Sequence, residues 1–337
     1  MSGRPGPFAV LCGGAVVLLL AVVLALGVGN PAAGFAELGA LLRGSIQGPG
    51  RTILLDVRLP RVLLGALVGA ALASAGVAFQ AVLRNPLADP FLLGVSGGAL
   101  LGRMLWASLG ASDPMDPGLG APLAAFAGAL ATLAVLFALT RAGGRTRSVT
   151  LLLVGVVLNA FFSAVVLFLL TAGDTARTRD LFFLLVGTIP SPSWGVLAMV
   201  TTLVVLSVVG LSLGAHRLNL LSLGDETAAH LGVRVERATW GAIAVASLAT
   251  AAAVAFAGII GFVGLVVPHG LRLLVGPDHR RLVPGAALGG AAFLVLADAG
   301  ARTLLQPVQL PVGVLTAGIG GPFFLVLLWR RLRQAAA

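Results

Sequence analysis

The chain has 337 residues, 58% of them hydrophobic and only 10% charged, far below the roughly 25% charged residues of an ordinary soluble domain. Its formal charge of +10 rests on 22 arginines, since lysine is absent. This composition excludes an ordinary soluble domain, and the missing lysine also excludes a Walker A phosphate loop and a lysine Schiff base. Apolar runs of about 20 residues recur throughout, each sufficient to cross a hydrocarbon core of about 30 Å. The chain therefore reads as an all-α polytopic membrane protein of about ten transmembrane helices, forming one domain over residues 1–337. Its 46 glycines suit close helix contacts in lipid.

Span one covers about Phe8–Val28. It exceeds a signal-peptide core and another span follows, so it is read as retained. Cys12 lies within it as the single thiol, which precludes an internal disulfide. A loop bearing Glu37, Arg43, Arg51, Asp56, Arg58 and Arg61 leads to span two, about Arg61–Leu83, where Gly65 and Gly69 stand in small-xxx-small register. In RNPLADPFLLGVSGGALLG, Pro86 and Pro90 bracket a break before span three, about Phe91–Leu109. Gly94, Gly98 and Gly102 give that span a nearly bare face. Span four is about Pro122–Thr140, followed by the basic turn RAGGRTR and span five, about Val149–Thr171. The segment GDTARTRDLFFLLVGTIPSPSW is predicted to form a short amphipathic helix on the outer surface. Span six is about Trp194–Leu213.

The next stretch, His216–Arg237, is the longest charge-bearing segment between two apolar runs. Within it LLSLGDETAAHLGV predicts a short helix, with Ser222 as N-cap and Asp225 in a capping-box-like position. Asp225 and Glu226 bring negative charge to the first turn, and Gly232 stands as the C′ stop. Two turns of helix are unstable alone in water, so this element needs a partner. Span seven, about Ala238–Phe256, is joined by AGIIG to span eight, about Gly258–Val275. The loop GPDHRRLVPG precedes span nine, about Ala286–Leu304. The loop QPVQLPVG precedes span ten, about Val312–Trp329, and the tail RRLRQ.

Ten spans place both termini on one side. Arginines divide 14 to 8 in favour of that side, so the termini and the short helix are expected in the cytoplasm. Clustering at span ends favours topology and anionic headgroups over nucleic acid as the meaning of the charge. The glycine-rich breaks after spans two and seven echo each other, as corresponding breaks do in transporter repeats.

No nucleophile–base set and no metal-ligand spacing stands out, so neither a catalytic nor a metal site is expected. Within the spans, Asp298 and Arg302 lie four residues apart on one helix face, either as a structural pair or with Arg302 presented at the outer mouth. Arg103 has no sequence-local partner; it either snorkels outward or lines a polar path. Gln80 and Asn85 either line a pathway or bond to neighbouring helices, and His269 reads as packed or interfacial.

Four ordered blocks carry a resemblance. RLPRVLLGALVGAALASAGVAFQAVLRNPLADPFLLGVSGGA, LSLGDETAAHLGV, GFVGLVVPHGLRLLVGPDHRRLVP and LPVGVLTAGIGGPFFLVLL resemble permeases that import ferric siderophores, haem and cobalamin. The resemblance covers the chain from about residue 50. It implies a type II ABC importer in a bacterial or archaeal cytoplasmic membrane: two permeases, as a homodimer, two cytoplasmic ATPases holding ATP and Mg, and a periplasmic or lipid-anchored binding protein. The permease itself performs no chemistry and binds no cofactor. Carried across, Leu223, Gly224, Asp225, Glu226, Ala228, Leu231 and Gly232 form the helix that docks into an ATPase. Arg58, Arg61 and Arg302 meet carboxylates of the binding protein. Asn85 and Leu87, with Arg147 and Ser148, fall where the family narrows its cytoplasmic exit, and Gln80 lies beside that path. An iron chelate is the expected cargo, with cobalamin as the alternative. An ion-gradient-driven transporter needs intramembrane carboxylates, of which Asp298 is the one clear candidate; a membrane scaffold predicts no solute flux.

Overall fold

The computed structural model describes residues 6–29, 34–46, 48–109, 120–142, 148–172, 182, 184–306 and 308–336, and every regular element among them is helical. In chain order these are α1 (Pro7–Gly27), α2 (Phe35–Leu42), α3 (Pro49–Thr52), α4 (Leu59–Val82), α5 (Val95–Ser108), α6 (Gly120–Ala142) and α7 (Ser148–Ala172). There follow α8 (Trp194–Leu213), α9 (Ala215–Leu221), α10 (Asp225–His230), α11 (Val235–Ala257), α12 (Val263–Val275), α13 (His279–Thr303) and α14 (Val312–Ala336). A π-helical turn, Ile53–Arg58, joins α3 to α4 without interruption. Among the described residues, eight helical units are long and apolar enough to cross a membrane. The 14-residue α5 and 13-residue α12 rise only about 20 Å each, short of the full hydrocarbon thickness. Both follow the breaks anticipated from proline and glycine.

The centre of the bundle is α4. Its small residues, including Ala71, Ala73, Ser74 and Ala75, are wholly inaccessible, and they let neighbouring backbones approach. A Cβ added to Gly69 would collide with the carbonyl of Gly290 on α13, and one added to Gly76 would collide with that of Gly264 on α12. These crossings are therefore backbone against backbone, the contact that small residues permit where lipid gives no hydrophobic drive. The bare face of α5 serves the same end: Gly98 and Gly102 pack against Gly128 and Ala124 of α6. By contrast α1, α7 and α14 expose large side chains such as Leu19, Val157 and Leu325 to their surroundings.

The two breaks meet in space. Asp89 accepts the backbone N–H groups of Phe91 and Phe262, so one carboxylate satisfies freed donors on both sides. Arg84 and Phe262 each adopt positive φ, 50° and 69°, where the chain leaves α4 and enters α12.

The loop before span two contains α2, which the sequence reading did not anticipate. Of the expected outer amphipathic helix, residues 173–181 and 183 lie outside the described residues, and residues 184–186 are helical. Leu184 and Ile189 do not lie on the surface but are buried, at 9% and 2% exposure. Ile259 N–H donates to Leu184 O, Thr188 N–H to Ala257 O, and Gly313 N–H to Gly187 O. The segment is drawn inward because α11 ends and α14 begins within the bundle, leaving backbone groups that no water satisfies.

Candidate coupling and docking sites

At the end of the bundle where α4 stops, the His216–Arg237 segment folds as two short helices. Ser222 does not cap the second: its Oγ donates to Asn219 O, 2.6 Å away, and it closes α9. Gly224, at φ 111°, is the N-cap of α10. A chain reversal between two helices demands this backbone, which glycine adopts without steric cost, so the capping-box expectation gives way. The expectations for the helix's charge and its stop hold. Asp225 and Glu226 occupy the first turn, and Gly232, at φ 81°, ends the helix while Val233 N–H bonds Ala228 O. Ala228 is fully buried, whereas Leu223 and Leu231 are 61% and 56% exposed. Two large apolar side chains thus flank an acidic helix start.

The support beneath α10 is polar and specific. Asn219 Nδ2 donates to Asp278 Oδ1 at 2.7 Å, and Asn219 Oδ1 accepts the His279 N–H at 2.9 Å. These bonds tie α9 to the start of α13. The Asn219 bond, helped by the Arg280 N–H and the nearby Arg280 and Arg281 charges, holds the Asp278 carboxyl below its ordinary pKa despite partial desolvation.

The structure adds one residue that sequence reasoning missed. Arg84 Nη2 lies 2.9 Å from Asp225 Oδ2, joining α10 to the residue directly before the NPLA turn. The partners are 141 positions apart, so no spacing rule reveals them. In the turn itself Asn85 Oδ1 accepts the Leu87 N–H at 3.0 Å, and the Asn85 and Leu87 side chains are part-exposed. Gln80 takes the packing alternative: 3% exposed, it donates to Gly264 O and accepts from Arg272. Arg147 lies outside the described residues, and Ser148 begins α7.

At the opposite end, Asp298 is 2% exposed and is held by Arg61 Nη2 at 2.8 Å and Arg302 Nε at 2.9 Å. The expected Asp298–Arg302 pair is thus one edge of a larger cluster. Arg302 also donates to Ala25 O, and Arg58, itself 5% exposed, donates to Leu26 O. Both carbonyls belong to the last turn of α1, the negative end of its dipole. Arg58, Arg61 and Arg302 are therefore brought together, with Arg61 the most accessible at 20% of its side chain. A carboxylate clamped between two guanidiniums is a poor proton relay, which removes the candidate the gradient-driven reading required.

Arg103 neither snorkels nor stands alone: it donates to Ala255 O, within the last turn of α11. Sequence gave no hint because the helix end it serves is 152 residues away. His269 packs edge-on against Phe323, ring centroids 6.0 Å apart. No group of three or more His, Cys, Asp or Glu gathers as a metal site among the described residues.

Comparisons with known proteins agree with this layout. The profile of the FecCD transport family matches residues 17–330. The chain is 42% identical over 335 residues to the hemin transport system permease protein HmuU of Yersinia pestis, covering 99% of each. It is 44% identical to the cobalamin import system permease protein BtuC of Halobacterium salinarum, over 86% of this chain and 76% of that one. Its identity to the Fe(3+) dicitrate transport system permease protein FecD of Escherichia coli is 42%, over 82% and 85%. Among solved structures, an inward-facing metal-chelate type ABC transporter superposes with a TM-score of 0.83 at 32% identity, covering 96% of this chain and 99% of that one. With its central small-residue helix, its broken helices and its end-to-end match to permeases, the chain belongs to the FecCD transport family.

Proposed function

We propose that this multi-pass chain is the permease subunit of a binding-protein-dependent ABC importer in a bacterial or archaeal cytoplasmic membrane, carrying an iron chelate, haem or a ferric siderophore. The observation that carries the reading is the 42% identity with a hemin permease across 99% of both chains. The working assembly is two permease copies, two cytoplasmic ATPases that hold ATP and Mg, and an outer binding protein. Proteoliposomes containing these components are expected to accumulate radiolabelled haem or ferric siderophore only with internal ATP. Uptake driven by a proton gradient without the ATPase would overturn the assignment. Accumulation of cobalamin alone would select the second reading, which the archaeal cobalamin relative favours.

In this reading α10, with Leu223, Gly224, Asp225, Glu226, Ala228, Leu231 and Gly232, seats in the ATPase. Its exposed leucines and acidic first turn supply an apolar and a charged contact. Movement of α10 reaches the exit through Arg84, whose ion pair with Asp225 adjoins Asn85 and Leu87; Arg147 and Ser148 complete that exit, and Gln80 holds its wall. Arg58, Arg61 and Arg302 form the outer docking patch. Coupling is reciprocal, so docking outside changes nucleotide turnover inside.

A further inference from the structure

A groove of about 460 Å³ runs between α8 and α11 at the coupling end of the bundle. Its apolar floor includes Gly210, Gly241 and Val245, and its rim carries His216, Arg217 and Arg237. A Cβ added to Gly241 would meet nothing within 4 Å, so the missing side chain there is open space rather than a helix contact. The groove begins in the last turns of α8 and extends to Val245, ten residues into α11, or about 15 Å along the helix. On α8 the adjoining Leu206, Val209 and Leu213 are 60%, 48% and 82% exposed. Such side chains on a spanning helix face acyl chains.

The rim has the opposite character. Arg217 and Arg237 are both exposed, at the start of the polar segment and in the first turn of α11. Neither forms an ion pair among the described residues. The His216 ring lies 3.3 Å from Arg280 Nη2, which brings a third guanidinium behind the rim. An apolar slot open to the bilayer beneath unpaired guanidiniums at interface depth matches one molecular shape, an acyl chain ending in a phosphate.

We propose that this groove binds an anionic phospholipid of the cytoplasmic leaflet, with its phosphodiester on Arg217 and Arg237 and one acyl chain along Gly241. Because His216 and Arg217 belong to α9, which leads directly into α10, the lipid braces the coupling segment from the membrane side. The inference concerns lipid retention by the chain itself and stands whether or not the transport reading does.

The test uses the full-length chain in nanodiscs made from equal parts phosphatidylglycerol and phosphatidylcholine, with retained lipid identified by native mass spectrometry. Wild-type protein is expected to retain phosphatidylglycerol about thirtyfold over phosphatidylcholine, the scale set by two interfacial arginines. The double variant Arg217→Gln/Arg237→Gln is expected to retain both lipids equally, and Gly241→Leu to lose the bound lipid while circular dichroism stays helical. A phosphatidylglycerol bearing a photoactivatable acyl chain should label residues between Gly210 and Val245. Equal retention by wild type, or a preference unchanged in the double variant, overturns the proposal. So do displacement by inorganic phosphate alone, and an arginine double variant that keeps its lipid but loses ATPase binding.

Discussion

At the residue scale, the outer cluster shows how intramembrane charge is made tolerable. Asp298 serves Arg61 and Arg302, and the α1 carbonyls serve Arg58 and Arg302. Removing one partner of a buried pair leaves an uncompensated charge, which is costly. Asp298→Ala is therefore expected to destabilise the chain by about 3 kcal/mol and Arg61→Ala by less, because Asp298 then keeps Arg302. Thermal unfolding in detergent checks the order, and equal shifts would contradict the geometry. Arg61 is also the arginine that solvent reaches, so Arg61→Glu is expected to weaken binding-protein docking most at low ionic strength. Docking that is unchanged at low salt would remove Arg61 from the patch. At the other end, the Asp278 carboxyl has its pKa depressed in the folded chain. Its contribution is present above the ordinary Asp value of about 3.9 and is lost as pH falls through the lower folded value. The α9–α13 tie should accordingly hold unchanged from pH 8 down to about pH 5, as hydrogen exchange of α9 amides would report.

At the element scale, α10 is six residues long and owes its position to others. Gly224, at φ 111°, sets its start, and the Arg84 bond ties it to the NPLA turn. Gly224→Ala is expected to cost about 1 kcal/mol locally and to reduce ATPase assembly. The Arg84–Asp225 pair is exposed, so it adds little to stability, yet it joins the two parts that the proposed coupling moves together. Arg84→Asp and Asp225→Arg are each expected to lower transport per ATP, with the double swap restoring it; full additivity in that cycle would show that the contact transmits nothing. Helix crossings obey similarly local rules. Gly69→Ala is expected to cost about 2 kcal/mol or more through overpacking against Gly290, whereas Gly241→Ala meets open space and should leave unfolding unchanged.

At the scale of the whole molecule, the chain is a bundle around α4 whose two ends differ in make-up. One end carries α10 and the NPLA turn, the other the arginine cluster, and α4 runs between them with Arg61 near one terminus and Arg84 just past the other. That continuity gives the proposed reciprocal coupling a physical path, since a stiff, fully packed helix has few ways to absorb displacement. Exposed large side chains on α7 and α14 are left for lipid or a second copy of the chain. Mass measurement of the intact assembly is expected to give two permeases for two ATPases, and a single permease would refute the homodimer.

What the amino-acid order determined alone was everything governed by local periodicity and composition. Apolar run length set α1 and α8 nearly to the residue, proline and glycine marked both breaks, and arginine distribution separated the two ends. Asp225, Glu226 and Gly232 were legible because a helix end follows rules of adjacency. Tertiary structure decided what depends on distant partners. It turned Gln80 into a tie between α4 and α12, gave Arg103 the end of α11, brought Arg61 to Asp298 and Arg58 to the end of α1, and joined Arg84 to Asp225. It also moved the start of α10 from Ser222 to Gly224 and drew Leu184–Ile189 into the bundle. In each case a polar or backbone group within or beside the membrane needed a partner, and the partner was supplied by a segment far along the chain.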